Sequence, residues 1–79
     1  MRINAAYTLY RMHGAAVRLR NRNFNFDAEI RADSAGVPFT VFIQHDGTET
    51  PAGELDGAIA SAVFQSEDWQ EEKKKQETK

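Results

Sequence analysis

Between Phe24 and Ile43 the chain reads FNFDAEIRADSAGVPFTVFI, and this stretch limits the fold more than any other. Apolar side chains recur at Phe24, Phe26, Ala28 and Ile30, the period of two expected of a strand with one buried face. Asp33-Ser34-Ala35-Gly36 then has the composition of a four-residue hairpin loop. Such a loop sets Ile30 against Phe39, Ala28 against Val41 and Phe26 against Ile43, three apolar pairs on one side. Thr40 and Phe42 then share the other side with Asp27 and Glu29. Pro38 has no N–H to give to a ladder, so this strand is expected at the sheet edge.

The hairpin needs neighbours, and the preceding segment supplies one. Ala15 to Asn21 alternates, with Val17 and Leu19 on one side and Arg18, Arg20 and then Arg22 on the other. A two-residue loop at Arg22-Asn23 pairs Leu19 with Phe26, Val17 with Ala28 and Arg18 with Asp27. A loop shifted by one residue pairs Arg20 with Asp27 and Arg18 with Glu29. In either register the arginine stripe lies beside the two acids.

Ile3 to Met12 admits two readings. As a helix it has Asn4 for an N-cap, Gly14 just past its end, and Arg11 and His13 at the negative end of the dipole. As a strand it offers Tyr7, Thr8, Leu9 and Tyr10, which suit a pleated surface. His13-Gly14 read as a hairpin turn favours the strand, with Met12 opposite Ala15 and Tyr10 opposite Val17.

Downstream, Thr50-Pro51 has the form of a helix start, and Leu55, Ala58, Ile59, Ala62, Val63 and Trp69 form one stripe at helical spacing. Burying this stripe on the sheet is worth about 1.5–3 kcal/mol per large side chain. The opposite face is unusual: Gly53, Gly57, Ala60, Ser61 and Phe64 stand where lysine or glutamate is normal. Helical glycine costs about 1 kcal/mol relative to alanine, so this face is expected to receive a second helix.

The expected fold is therefore α+β: a three- or four-stranded antiparallel meander with one C-terminal helix packed across one face. The alternative has an N-terminal helix, three strands and a C-terminal helix. Residues 1–70 form one domain, and 71–79 a charged, frayed tail in which Glu71 can pair with Lys75.

At 79 residues the chain is near the size where one core just suffices, so association would help it. With no cysteine, disulfides and thiolate chemistry are excluded. No apolar run approaches the roughly 18 residues of a membrane span, and the first residues lack a signal-peptide core, so a cytoplasmic protein is expected. Charge is segregated: all six arginines lie between Arg2 and Arg31, whereas Asp33 to Glu72 holds nine acids and no lysine or arginine. Such segregation is the pattern of elements that neutralise each other on folding.

No catalytic, metal or cofactor site is expected. His45-Asp46-Gly47 and Glu49 read as a turn, because a calcium loop needs more oxygen ligands at alternating positions. No glycine-rich phosphate loop occurs, and neither histidine has a nucleophile to activate. The expected function is non-enzymatic protein binding, to a larger protein or to a twin subunit as a homodimer. Size and style suggest a phage or mobile-element inhibitor or assembly factor. Two surfaces are candidates: the outer sheet face, with Arg18, Arg20, Asp27, Glu29 and Phe42, and the helix back face, with Gly57, Ala60, Ser61 and Phe64. The alternative is a nucleic-acid-binding module using Arg18, Arg20 and Arg22. Asp27 and Glu29 beside the stripe weaken its field, and Phe24 and Phe26 face the core rather than a base.

Overall fold

The computed structural model describes residues 1–72. Helix α1 (Ile3–His13) is followed by strands β1 (Val17–Arg20), β2 (Phe26–Ala32), β3 (Pro38–Gln44) and β4 (Glu49–Pro51). A 3₁₀ turn (Ala52–Glu54), helix α2 (Gly57–Gln65) and strand β5 (Gln70–Glu71) complete it. The five strands form one antiparallel sheet in the order β4-β3-β2-β1-β5. The fold is thus α+β with an antiparallel sheet, and it has five strands and two helices.

The N-terminal segment is a helix, which corrects the preferred strand reading. Gly14 is the reason: it adopts φ 67 and its N–H donates to the Tyr10 carbonyl at 2.8 Å, so His13-Gly14 caps a helix instead of turning a hairpin. Arg11 and His13 occupy the last turn. The N-cap is Arg2, with no side-chain cap, rather than Asn4. Ile3 and Ala6 are fully buried, Tyr7 and Tyr10 pack beside them, and Met12 is 70% exposed on the other side.

The hairpin of β2 and β3 is present, but its register differs by one residue. Ile30 pairs with Thr40, Ala28 with Phe42 and Phe26 with Gln44. The turn decides this. Asp33 pairs with Val37 through its backbone (N to O, 3.0 Å), its Oδ1 accepts from the Ala35 and Val37 N–H groups at 2.9 Å, and Gly36 takes φ 83. The loop therefore holds Ser34, Ala35 and Gly36, a three-residue hairpin loop with glycine in the left-handed position. A slip of one residue turns the whole strand over. Thr40 and Phe42 now face the helices, and Phe39, Val41 and Ile43 face away. Phe42 meets Phe26 and Phe64 edge to face at 5.4 and 6.1 Å. The buried Thr40 hydroxyl shares a 2.6 Å hydrogen bond with the Tyr7 phenol.

Nor is β3 an edge strand, since β4 pairs along Val41 to Ile43. Pro38 lies beyond the end of β4, so its missing N–H interrupts no bond on that side. Between β1 and β2 the register is the shifted alternative, with Val17 against Ile30 and Leu19 against Ala28.

Helix α2 starts later than Thr50-Pro51, which belong to β4. Asp56 caps it, accepting from the Ala58 and Ile59 N–H groups at 2.9 and 3.4 Å. Trp69 is fully buried but lies past the helix, where its indole N–H donates to the Val63 carbonyl at 3.0 Å. The chain then returns to the sheet: Gln70 and Glu71 pair with Arg20 and Leu19, so the expected tail begins as a strand. The Glu71–Lys75 pair lies outside the described residues. Both helices cover one face of the sheet, around a core of Ile3, Ala6, Val17, Leu19, Ala28, Ile30, Phe42, Val63 and Trp69. No helix among the described residues is long and apolar enough to cross a membrane.

Candidate functional site

Strand alternation gathers Arg18, Arg20, Asp27 and Glu29 on the sheet face that carries no helix. Two of these are engaged at once: Arg18 donates from Nη2 and Nε to Asp27 Oδ2 at 3.0 and 3.3 Å. Their Cα atoms are diagonal neighbours, because the register sets Arg18 directly against Glu29. Glu29 instead accepts from Arg31 Nε at 3.0 Å. Arg31 also reaches both oxygens of Glu49, at 3.0 and 3.1 Å.

This last contact explains an oddity of burial. Since β3 lies between β2 and β4, the Arg31–Glu49 pair has to cross it above the Phe39, Val41 and Ile43 row. Val41, on the nominally open face, is only 3% exposed. The crossing places the arginine stem to cover apolar surface while its head stays paired, as long cationic side chains commonly do. Hydrogen bonds to Glu49 and then Glu29 raise the pKa of Arg31, and Arg31 holds the Glu49 carboxyl below its ordinary value.

Phe42 does not belong to this face. It is 3% exposed in the core, for the register reason given above.

The helix surface is also placed differently. Phe64 and Ala60, expected outward, turn toward the sheet, and Phe64 meets Phe42. Gly57 and Ser61 remain exposed. Ala58, Ile59 and Ala62, expected in the core, face outward, with Ile59 52% exposed. The phase of the helix is thus rotated, and its outward side is the more apolar for it.

Arg20 and Arg22 remain. Arg20 lies on β1 opposite Gln70, and Arg22 in the turn that follows. Among the described residues neither forms an ion pair. With Phe24, Asp27, His45 and Asp68 they line a cleft of about 430 Å³ at the end of the sheet. Asn21, which sequence reasoning passed over, builds its wall. Its buried amide donates to Ser66 Oγ at 2.9 Å and accepts from the Asn23 N–H at 2.9 Å, tying the β1–β2 turn to the segment after α2. Asn23 in turn donates to Asp68 Oδ2 at 2.7 Å.

Asp46 serves its own turn. It accepts from the Thr48 N–H at 2.9 Å, which holds its carboxyl below the ordinary value, and Gly47 takes φ 91. No cluster of three or more potential metal ligands occurs among the described residues.

No protein-family model matches the chain, and no significant match to it is found among curated proteins or solved structures.

Proposed function

We propose that the protein is a non-enzymatic interaction module that docks through α2 on a larger protein or on a second copy of itself. One observation carries this reading. The nine residues GAIASAVFQ include no charged side chain, yet only Val63 is fully buried, and Ala58, Ile59 and Ala62 face outward. A helix with no charged side chain and apolar residues on most of its surface is normally covered on more than one side. Small residues beside one large aliphatic anchor let another backbone approach closely, with Ile59 as the group that would be buried. Docking of this kind suits occlusion or assembly, the modes of small phage and mobile-element inhibitors and assembly factors.

The test is Ile59→Glu. Because Ile59 is half in solvent, the change should alter stability by no more than about 0.5 kcal/mol, while association is lost. Light scattering over a concentration series separates the two partners. A mass that rises with concentration and no longer does so in the variant identifies a second copy. A constant monomer mass, with a partner captured by the wild type and not by the variant, identifies a larger protein. Association that persists in Ile59→Glu overturns the proposal.

Nucleic-acid binding through Arg18, Arg20 and Arg22 is the second reading. The guanidiniums of Arg20 and Arg22, in no ion pair among the described residues, favour it, and the hold of Asp27 on Arg18 counts against it.

A further inference from the structure

The cleft at the end of the sheet is a second surface, and its charges are out of balance in a specific way. It contains two carboxylates: Asp27 is paired with Arg18, and Asp68 accepts from the neutral Asn23 amide and keeps its charge, one carboxylate against two guanidiniums. It contains two guanidiniums, and among the described residues neither has a carboxylate within ion-pair distance. Their positions are fixed by structure around them. Arg20 sits on a strand paired on one side with β2 and on the other with β5, and Arg22 follows the buried Asn21 node. Only the backbone is fixed, and the two exposed guanidinium forks stay free to meet planar oxyanions, which such groups bind through two parallel hydrogen bonds.

We infer that this cleft binds carboxylates, and that its ligand is an acidic segment of a partner protein seated on Arg20 and Arg22. The inference rests on the protein-binding reading above, but on a different surface from α2. Two features favour an acidic peptide over a nucleic acid. A phosphate backbone gains affinity by meeting many cations in a row, whereas this cleft offers only two guanidiniums. Base binding also needs a free aromatic platform. Phe24, the phenyl ring of the lining, is stacked into the core edge against Phe26 and Trp69 at 5.3 and 5.7 Å. The same stacking makes Trp69, the only tryptophan, a fluorescent reporter for the cleft.

The experiment titrates the full chain at low salt with a short peptide of alternating glutamate and glycine, with a short oligothymidylate, and with inorganic phosphate. Binding is followed by Trp69 emission and by the shifts of arginine side-chain N–H signals. The peptide should bind most tightly. Arg20→Ala and Arg22→Ala should each weaken it at least about tenfold, the range of a charge-assisted hydrogen-bond pair. Arg11→Ala, which removes the same charge from α1 outside the cleft, should change it less than about twofold by screened long-range attraction alone. Thermal melts of all three variants should match the wild type, since these arginines are exposed.

Tighter binding of the oligonucleotide would assign the cleft to nucleic acid and overturn the inference. Phosphate binding as tightly as the peptide, no binding of any probe, or equal loss in Arg11→Ala would overturn it too. Ile59→Glu should leave the peptide titration unchanged. Partner capture that survives Arg20→Ala and Arg22→Ala but fails in Ile59→Glu would therefore sink the cleft inference alone.

Discussion

The outer face of the sheet and the outward face of α2 both meet solvent, but they treat apolar side chains in opposite ways. On the sheet, Val41 is nearly inaccessible in a row that the Arg31–Glu49 pair spans, with Glu29 and Pro51 as its cross-strand neighbours. On α2, Ile59 is half exposed in a helix with no charged side chain to lie across it. A paired cation spanning the sheet is thus placed to shield an apolar residue. Among the described residues no such device lies over α2, which is what gives its surface meaning, since scattered exposed apolar residues are ordinary by themselves.

The contrast depends first on which side of β3 faces the helices, and that is where the largest effect is expected. Phe42→Ala removes a ring packed against both Phe26 and Phe64, and should cost about 3–5 kcal/mol in urea denaturation. For so small a domain that approaches its whole stability. Phe39→Ala, on the outer face, should cost only about 1 kcal/mol. The one-residue-shifted register requires the reverse order, so these two variants decide between them.

That register also shows where sequence reasoning stops. The alternation of β2 is legible because Phe26, Ala28 and Ile30 are separated by charges. In β3 apolar residues occupy both parities, Phe39, Val41 and Ile43 against Phe42, so the pattern cannot choose a face. The Asp33 carboxylate chooses it, through two backbone hydrogen bonds that depend on loop geometry. Helix α2 was legible as a helix but not in its phase, for a similar reason: Ala58, Ile59, Ala60, Ala62, Val63 and Phe64 surround a polar edge of only Ser61 and Gln65, too narrow to orient it. Gly14 suits a tight turn and a helix cap equally well. Strand β5 carries no strand signal in Gln70-Glu71 and exists because Trp69 anchors the chain beside the open edge of β1. Of the candidate cleft, the arginines were visible in the sequence. The Asn21 node was not, since its partner Ser66 is remote along the chain.

The second effect concerns the shield itself. Arg31→Ala strips the cover from Val41 and leaves Glu29, whose side chain is 19% exposed, without its cation. Removing one member of a partly buried charged pair costs more than the pair contributes, here about 1–2 kcal/mol. The outer face should then resemble α2, with an exposed apolar row and increased binding of a hydrophobic dye to the folded protein. Unchanged stability and dye binding would show that the arginine is not what covers Val41, and the contrast between the two faces would lose its physical basis.

The smallest effect is the pH dependence of the same network. Arg31 lowers the Glu49 carboxyl from its ordinary 4.5 in the folded chain. The unfolded chain therefore takes up the proton first as the solution is acidified. The stabilisation is fully present above the ordinary value and is lost as pH falls through the lowered one. Glu49→Gln removes this contribution, so the variant should melt slightly lower than the wild type near neutrality. It should also lose less melting temperature between about pH 6 and about pH 3. Asp46 is shifted in the same direction by the Thr48 N–H, so a residual slope remains in the variant. Parallel wild-type and variant curves would mean that Glu49 is as free in the folded chain as in the unfolded one. The clamp across β3 would then be lost, leaving the Arg31–Glu29 pair within β2, and the shielding of Val41 would have to come from the arginine stem alone.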